Sequence, residues 1–216
     1  MSYDRIVISS GHGKYVRGAS GVIDEVDEAR RVVEHVADEL RARSVDVTTY
    51  HDDISQSQNE NLNRIVDFHN SNQRDLDISV HFNAYVETDN PMGVEVLFVT
   101  QSALAGEMSA AIADAADLID RGAKKRTDLF FLNNTEMPSI LIETCFVDST
   151  ADASLYQQQF GMICEAIAAV LGGAEEVKPP DETDPPVRPV KPPPTLRLDV
   201  EVTGEVTIII NGVPVT

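Results

Sequence analysis

"RIVISSGHGKYVRGASGVIDE", residues 5–25, decides the fold, because it joins a strand, a glycine-rich turn and the start of a helix. Residues 5–10 are mostly apolar and β-branched, which is typical of a buried strand. The chain then reaches Gly-His-Gly around His12, where small neighbours let the backbone and the imidazole approach a bound ion closely. Glu25 follows thirteen residues later, at the start of a helical pattern. The stretch therefore predicts a strand–turn–helix unit that carries an imidazole and a carboxylate.

Strand and helix patterns alternate along the first 172 residues of the chain. Strands are predicted over 5–10, 45–50, 77–84, 93–100, 129–132 and 139–146, and helices over 25–43, 59–71, 102–120 and 151–171. This alternation predicts an α/β domain with a mostly parallel, twisted sheet covered by helices. Sheets of this kind place their sites beyond the carboxyl ends of the strands.

The composition changes after residue 173. Residues 174–194 hold eight of the eleven prolines, which predicts an extended Pro-rich linker between a catalytic domain at 1–173 and a small tail. The tail, residues 195–216, carries hairpin signals including Asn211-Gly212, so we expect a β meander. About 22 residues cannot bury an apolar face alone. That face must meet a second copy, making a homo-oligomer, or the main domain, or an outside target.

The bulk composition excludes several partners. The 216 residues carry a formal net charge of −19, which argues against nucleic acid and against an anionic membrane surface. No apolar run reaches the ~20 residues of a membrane span.

The N-terminus, MSYDRIVISS, lacks a basic segment followed by an apolar stretch, so we expect no signal peptide and a cytoplasmic location. Two cysteines do not make a disulfide framework.

Four side chains are candidates for chemistry: His12, Glu25, His81 and Glu143. His81 lies near the end of a predicted strand. Glu143 lies inside an apolar strand, where a charge is costly unless a cation offsets it. Two imidazoles and one carboxylate are a standard catalytic zinc set with a fourth position open, and a further carboxylate could accept a proton from water. Taken singly, each also fits a turn, a helix start or a satisfied core residue.

The remaining candidates indicate no second site. We expect His69 at the edge of the core and His51 in a solvated loop. Cys145 lies two residues after Glu143, so simple alternation predicts that both point from the same strand face. The sequence has no HExxH, CxxC, P-loop or dinucleotide motif.

Five segments together carry a family resemblance: SSGHG, GVIDEVDEARRVVEHVADEL, ISVHFNA, GVEVLF and RGAKKRTDLFFLNNTEMPSILIETCFVD, spread over residues 4–172. In order and spacing they resemble the zinc-dependent N-acetylmuramoyl-L-alanine amidases of the amidase-3 family, particularly those of phage endolysins. The resemblance implies hydrolysis of the amide between N-acetylmuramic acid and L-alanine in peptidoglycan. It also implies a protein that waits in the host cytoplasm until lysis.

The resemblance implies a role for each candidate. His12, Glu25 and His81 would hold one Zn²⁺ per catalytic domain, and Glu143 would be the catalytic acid/base. Glu28 is a second choice for the acidic ligand, but Glu25 keeps the apolar helix positions in the family's register. Two other functions remain open. One is a zinc peptidase or deacetylase acting on cell-wall material, and the other is a non-catalytic wall-binding or assembly protein with structural zinc.

Overall fold

A computed structural model describes residues 3–173, 199–203, 205–210 and 213–215. The chain forms two compact units, Met1–Glu176 and Val177–Thr216. The predicted linker at 174–194 and the predicted Asn211-Gly212 turn lie outside the described residues.

In the described part of the first unit, six strands alternate with five helices. They are β1 Arg5–Ser10, α1 Glu25–Ala42, β2 Asp46–Tyr50, α2 Gln58–Ser71, β3 Leu76–Asn83, β4 Val94–Phe98, α3 Ser102–Ala116, β5 Asp120–Lys125, α4 Phe130–Asn134, β6 Ser139–Phe146 and α5 Thr150–Gly172. Among the described helices, none is both long and apolar enough to cross a membrane.

The strands form one sheet in the order β2-β1-β3-β6-β4-β5. Every neighbouring pair is parallel except β4 and β6, which run antiparallel. The predicted α/β fold with a mostly parallel sheet is therefore confirmed. Because β1, β3 and β6 are adjacent and parallel, their carboxyl ends meet at one edge, where ligand sites of such sheets form.

Helices cover the two faces of the sheet unequally. The larger core lies on one face, where α1, α3 and α5 bury residues such as Val36, Ile112 and Ile167. The smaller core lies on the other face, against α2 and α4. It comprises Ile65, Val66, Leu97, Phe131, Leu132 and Leu141. The smaller layer leaves part of its sheet face available for a groove.

The predicted helix over 102–120 is wrong at its C-terminal end. Asp117 adopts a left-handed conformation with φ 56°, and the Leu118 N–H donates to the Ala113 carbonyl at 3.0 Å, which closes the helix. The chain then enters β5, which the sequence did not reveal. Ala123 of this strand packs against the large core. Because the strand has little contact with the core, its sequence shows no alternation of apolar and polar residues.

The predicted strand over 129–132 is also wrong, because these residues enter α4. A four-residue apolar run does not distinguish a strand from a buried helical turn. The polar residues after it favour the helix, since each donates a side-chain hydrogen bond to a carbonyl four residues earlier. These bonds join Asn133 to Leu129, Asn134 to Phe130 and Thr135 to Phe131.

The second unit contains a three-stranded antiparallel sheet, as the meander prediction requires. Its strands are β7 Asp199–Thr203, β8 Glu205–Ile210 and β9 Val213–Val215, in the order β7-β8-β9. Val200 pairs with Ile208 in the β7–β8 register.

A buried polar cluster ties α2 to β1 and β3. His69, expected at the core edge, is fully buried. Its Nδ1–H donates to Asp77 at 2.7 Å, and its Nε2 accepts from the Ser9 hydroxyl at 2.9 Å. Arg74 Nε also donates to Asp77, at 2.6 Å. Burial lowers the pKa of His69, more than Asp77 raises it, so the ring is neutral.

The lowered pKa of His69 makes stability depend on pH. The unfolded chain, with a histidine pKa of about 6.5, takes up the proton first as pH falls. The neutral ring therefore makes its full contribution to the free energy of unfolding above about pH 6.5. Below that pH the contribution declines by at most about 1.4 kcal/mol per pH unit. We expect the stability advantage of the wild type over His69→Asn to shrink between pH 7.5 and 5.5 in urea titrations. Parallel pH profiles would contradict this assignment.

Candidate active site

His12 lies in the loop after β1. Backbone hydrogen bonds join this loop to two neighbouring segments. The Gly11 N–H donates to the Val80 carbonyl at 2.9 Å, and the Lys14 N–H donates to the Asp52 carbonyl at 2.8 Å. The Asp52 carboxylate is itself fixed, because it accepts from Asn61 Nδ2 at 2.9 Å. The loop is thereby held between β3 and the start of α2.

Glu25 is the first residue of α1 and is only 3% exposed. Asp24 caps the helix by accepting hydrogen bonds from two backbone N–H groups. The Glu25 carboxylate accepts from the Ala19 N–H at 2.6 Å and from the Phe82 N–H at 3.1 Å. It therefore sits in a fixed position between the His12 loop and the end of β3.

The structure brings His12, Glu25 and His81 to a common point. Glu25 Oε1 lies 2.9 Å from His81 Nδ1 and 3.5 Å from His12 Nε2. One ligand atom from each residue lies within 4.8 Å of the others, and the two rings meet edge to face with centroids 5.0 Å apart. Two imidazole nitrogens and a carboxylate oxygen form a donor set that suits zinc.

The charges in this cluster depend on one another. Burial opposes ionisation of Glu25, but the hydrogen bond and charge of His81 prevail and lower the pKa of Glu25 to about 2. Burial likewise acts against a charged His81, yet Glu25 raises the pKa of His81 above its usual value. Burial and the neighbouring His81 lower the pKa of His12. Glu25 is therefore a stable anion placed between two imidazoles.

Glu143 lies on β6 directly opposite His81 in the β3–β6 register. Burial, assisted by the negative charges of Glu25 and Glu95, raises the pKa of Glu143 to about 7. Its Oε2 atom is buried and has no hydrogen-bond partner among the described residues. A carboxyl group in this state can accept or release a proton near neutral pH.

His12, His81 and Glu143 open into a groove of about 440 Å³. Its apolar wall comes from α2, the start of α4 and neighbouring residues, and its polar lining includes Gln58, Asn61, Arg126 and Asp128. The apolar lining residues are Leu62, Ile65, Leu97, Leu129, Phe130, Phe131 and Leu141. The volume of the groove is within the range of ligand pockets, and it lies beside the cluster.

Cys145 does not share the face of Glu143, contrary to expectation. Between the pairs His81–Glu143 and Asn83–Phe146, β6 advances three residues while β3 advances two. This β-bulge breaks the alternation. Cys145 is consequently buried in the large core on the other side of the sheet.

The two remaining candidates also have clear positions. Glu28 accepts a hydrogen bond from the Tyr156 hydroxyl at 2.8 Å and is not part of the cluster. His51, expected in a solvated loop, follows β2 but is held on both nitrogens, by Ser10 and by Glu34, each at 2.9 Å.

Sequence reasoning missed two residues of the site, Asn61 and Arg126, and expected residues 52–60 to border the groove without giving Asp52 a role of its own. Asp52 and Asn61 form the hydrogen bond that holds the His12 loop, and Arg126 lines the groove. The first two carried only the signals of a polar loop and an exposed helix start. Arg126 could have been noticed as the end of a basic run in an acidic chain.

The fold and the site define a class. A buried His–Glu–His cluster beside a protonatable glutamate, at the carboxyl ends of an α/β sheet, is typical of metal-assisted hydrolases.

The chain belongs to the N-acetylmuramoyl-L-alanine amidase family, whose Amidase_3 model matches residues 6–172. It is 34% identical over 164 residues to an uncharacterized 38.4 kDa protein of Clostridium perfringens, an alignment that covers 72% of this chain and 46% of that protein. The chain thus spans about half the length of this curated relative.

Comparison with solved structures also finds proteins similar to this chain. The catalytic domain of the CD27L endolysin targeting Clostridia Difficile matches with a TM-score of 0.66 and 25% identity, over 77% of this chain and 96% of that one. The N-acetylmuramoyl-L-alanine amidase AmiC2 of Nostoc punctiforme matches with a TM-score of 0.67 and 25% identity, over 77% and 94%.

Gly11 leaves room for the His81 ring, and this gives a test of the cluster. A Cβ atom on Gly11 would lie 1.7 Å from His81 Nε2 and 2.0 Å from Cε1. We expect Gly11→Ala to displace the ring and to lower zinc content, measured by atomic absorption, to well below one ion per chain. Gly106→Ala, where a Cβ meets nothing within 4 Å, is the control and should retain zinc. Full zinc content in Gly11→Ala would contradict the arrangement.

Proposed function

We propose that this chain is a zinc-dependent hydrolase that cleaves the amide between N-acetylmuramic acid and L-alanine in peptidoglycan. The observation that supports it most strongly is the convergence of His12, Glu25 and His81 beside Glu143, in a chain of the amidase family. Similarity to a solved N-acetylmuramoyl-L-alanine amidase adds support.

In this proposal His12, Glu25 and His81 hold one zinc ion. Zinc at such a set supplies a Lewis acid that polarises the amide carbonyl and activates water. The hydrogen bonds of the Glu25 carboxylate to Ala19 and Phe82 keep that ligand oriented, as outer partners of metal ligands do.

In this proposal Glu143 transfers a proton from water to the leaving amine. Its carboxylate accepts a proton from the attacking water and delivers it to the departing amine of L-alanine. The pKa near 7 that burial gives this residue suits both directions of transfer at neutral pH.

We further propose that the protein lyses bacterial cell walls as a phage endolysin and stays in the host cytoplasm until lysis. The similarity to the catalytic domain of the CD27L endolysin supports this role. For residues 195–216 we propose self-association into a homo-oligomer, because their alternating apolar pattern is too short to bury a face alone.

Replacing Glu143 separates proton transfer from metal binding. Glu143→Gln should retain zinc but lose about 10²–10⁴-fold in activity, the usual contribution of a general acid/base. His81→Ala should lose zinc as well as activity. Release of the L-alanine amine from purified cell walls is the measurement, and Glu136→Gln, an exposed isosteric change, is the control.

Two results would reject these assignments. Near-normal activity in zinc-loaded Glu143→Gln would exclude the proton-transfer role. Release of acetate, or of cleaved stem peptides, in place of the alanine amine would exclude the amidase.

Deleting residues 174–216 tests the role of the tail. If the tail mediates self-association, the mass from light scattering should fall from a multimer to that of one chain. Activity on small soluble fragments should persist, because the cluster lies within the first unit. An unchanged number of chains per particle would contradict self-association.

A further inference from the structure

A basic run at the edge of the sheet stands out in this acidic chain. Residues 121–126 contain four of the 17 lysines and arginines, although the chain has a net charge of −19. The run occupies β5, which is the last strand of the sheet, and continues to Arg126. Its position next to β4 places it beside the groove.

The pairing of β5 with β4 shows which face of the sheet each of these basic residues occupies. Lys124 pairs with Leu97, which lines the groove, and paired residues of neighbouring strands point to the same face. Lys125 pairs with Phe98 of the large core, so it belongs to the opposite face. Arg126 returns to the groove and lines it together with Glu143. We call Lys124 and Arg126 the basic stripe.

The basic stripe keeps donors that other residues do not use. Lys124 is exposed and forms no ion pair within the described part of the chain. Arg126 is held by Asp128 through Nε at 2.9 Å and Nη2 at 2.8 Å, which leaves Nη1 without a partner among the described residues. Arg121 already neutralises the nearby Glu95, at 2.8 Å. The positive charge of Lys124 is therefore available to an external anion, and Arg126, whose charge Asp128 already balances, can add a hydrogen bond from Nη1.

Edge lysines also discourage strands of other molecules from pairing, but that task does not require a position on the groove face. Lys125, on the opposite face, would serve it equally well. The arrangement of Lys124 and Arg126 on the side of Glu143 instead indicates a substrate contact.

We propose that Lys124 and Arg126 bind the carboxylate of an acidic peptide stem and make the enzyme prefer stems whose residue after L-alanine carries a free carboxylate. This inference rests on the proposed function. An extended peptide advances about 3.5 Å per residue, so the second residue would lie about 7 Å from the amide that is cut beside Glu143, and Arg126 lines the same groove as Glu143. Guanidinium and ammonium donors match a carboxylate there.

The test compares two disaccharide-tripeptide fragments of peptidoglycan. One carries D-glutamate with a free α-carboxylate, and the other carries D-isoglutamine, in which that carboxylate is an amide. The full-length, zinc-loaded protein should cleave the free-acid fragment with a kcat/KM about fivefold higher, the effect of one partly exposed ion pair. The difference should appear in KM.

Variants identify the residues responsible. In Lys124→Gln and in Arg126→Gln the ratio of the two kcat/KM values should fall toward one, and Arg126→Lys should restore part of it. Lys125→Gln makes the same change in net charge on the opposite face, so its ratio should stay at the wild-type value. Lys124 is exposed and forms no ion pair in the described structure, so its replacement tests recognition without disturbing the fold.

Three outcomes would overturn the inference. Equal cleavage of both fragments by the wild type would show that the carboxylate is not recognised. An equal loss of preference in Lys125→Gln would show a general charge effect in place of a defined contact. Retention of the full preference in Lys124→Gln and Arg126→Gln would exclude the stripe. Failure of the wild type to release the alanine amine from either fragment or from intact walls would instead overturn the proposed function.

Discussion

The site depends on a single carboxylate, that of Glu25, at the N-terminus of α1. It receives backbone hydrogen bonds from the loop before the helix and from the end of β3, and it contacts both imidazoles. A buried anion is costly unless it is paired and hydrogen-bonded. The positive end of the helix dipole adds further stabilisation. Glu25 therefore joins three segments that are distant in the sequence, and loss of this group would leave His12 and His81 without a common partner.

Much of the fold follows from the sequence because apolar periodicity is strong where an element faces a core. Apolar runs or helical repeats mark residues 5–10, 25–43 and 139–146, and the structure places a strand, a helix and a strand there. The positions of His12, Glu25 and His81 were foreseeable for a related reason. Each stands at or near an element end, and parallel strands bring their ends together.

The missed features have two physical causes: tertiary surroundings decide β5 and the groove residues, whereas local hydrogen bonds decide α4, where a short apolar run does not distinguish a strand from a helix. β5 is an edge strand with little core contact, so its sequence DRGAKK carries charge in place of apolar alternation. The short helix α4 replaces a predicted strand because its polar residues satisfy carbonyls four positions back. Arg126 and Asn61 became visible as site residues only when β5 and α2 were placed around the groove.

The bulge in β6 has a consequence for metal chemistry. Strict alternation would have placed a sulfur donor, Cys145, on the side of the sheet that carries Glu143 and opposite Asn83, two positions beyond His81. Thiolate sulfur is a common zinc ligand, and a fourth protein ligand is typical of structural zinc sites, which stabilise a fold without performing catalysis. By turning Cys145 into the large core, one inserted residue keeps the sulfur away from His12, Glu25 and His81, the cluster that could hold a metal ion.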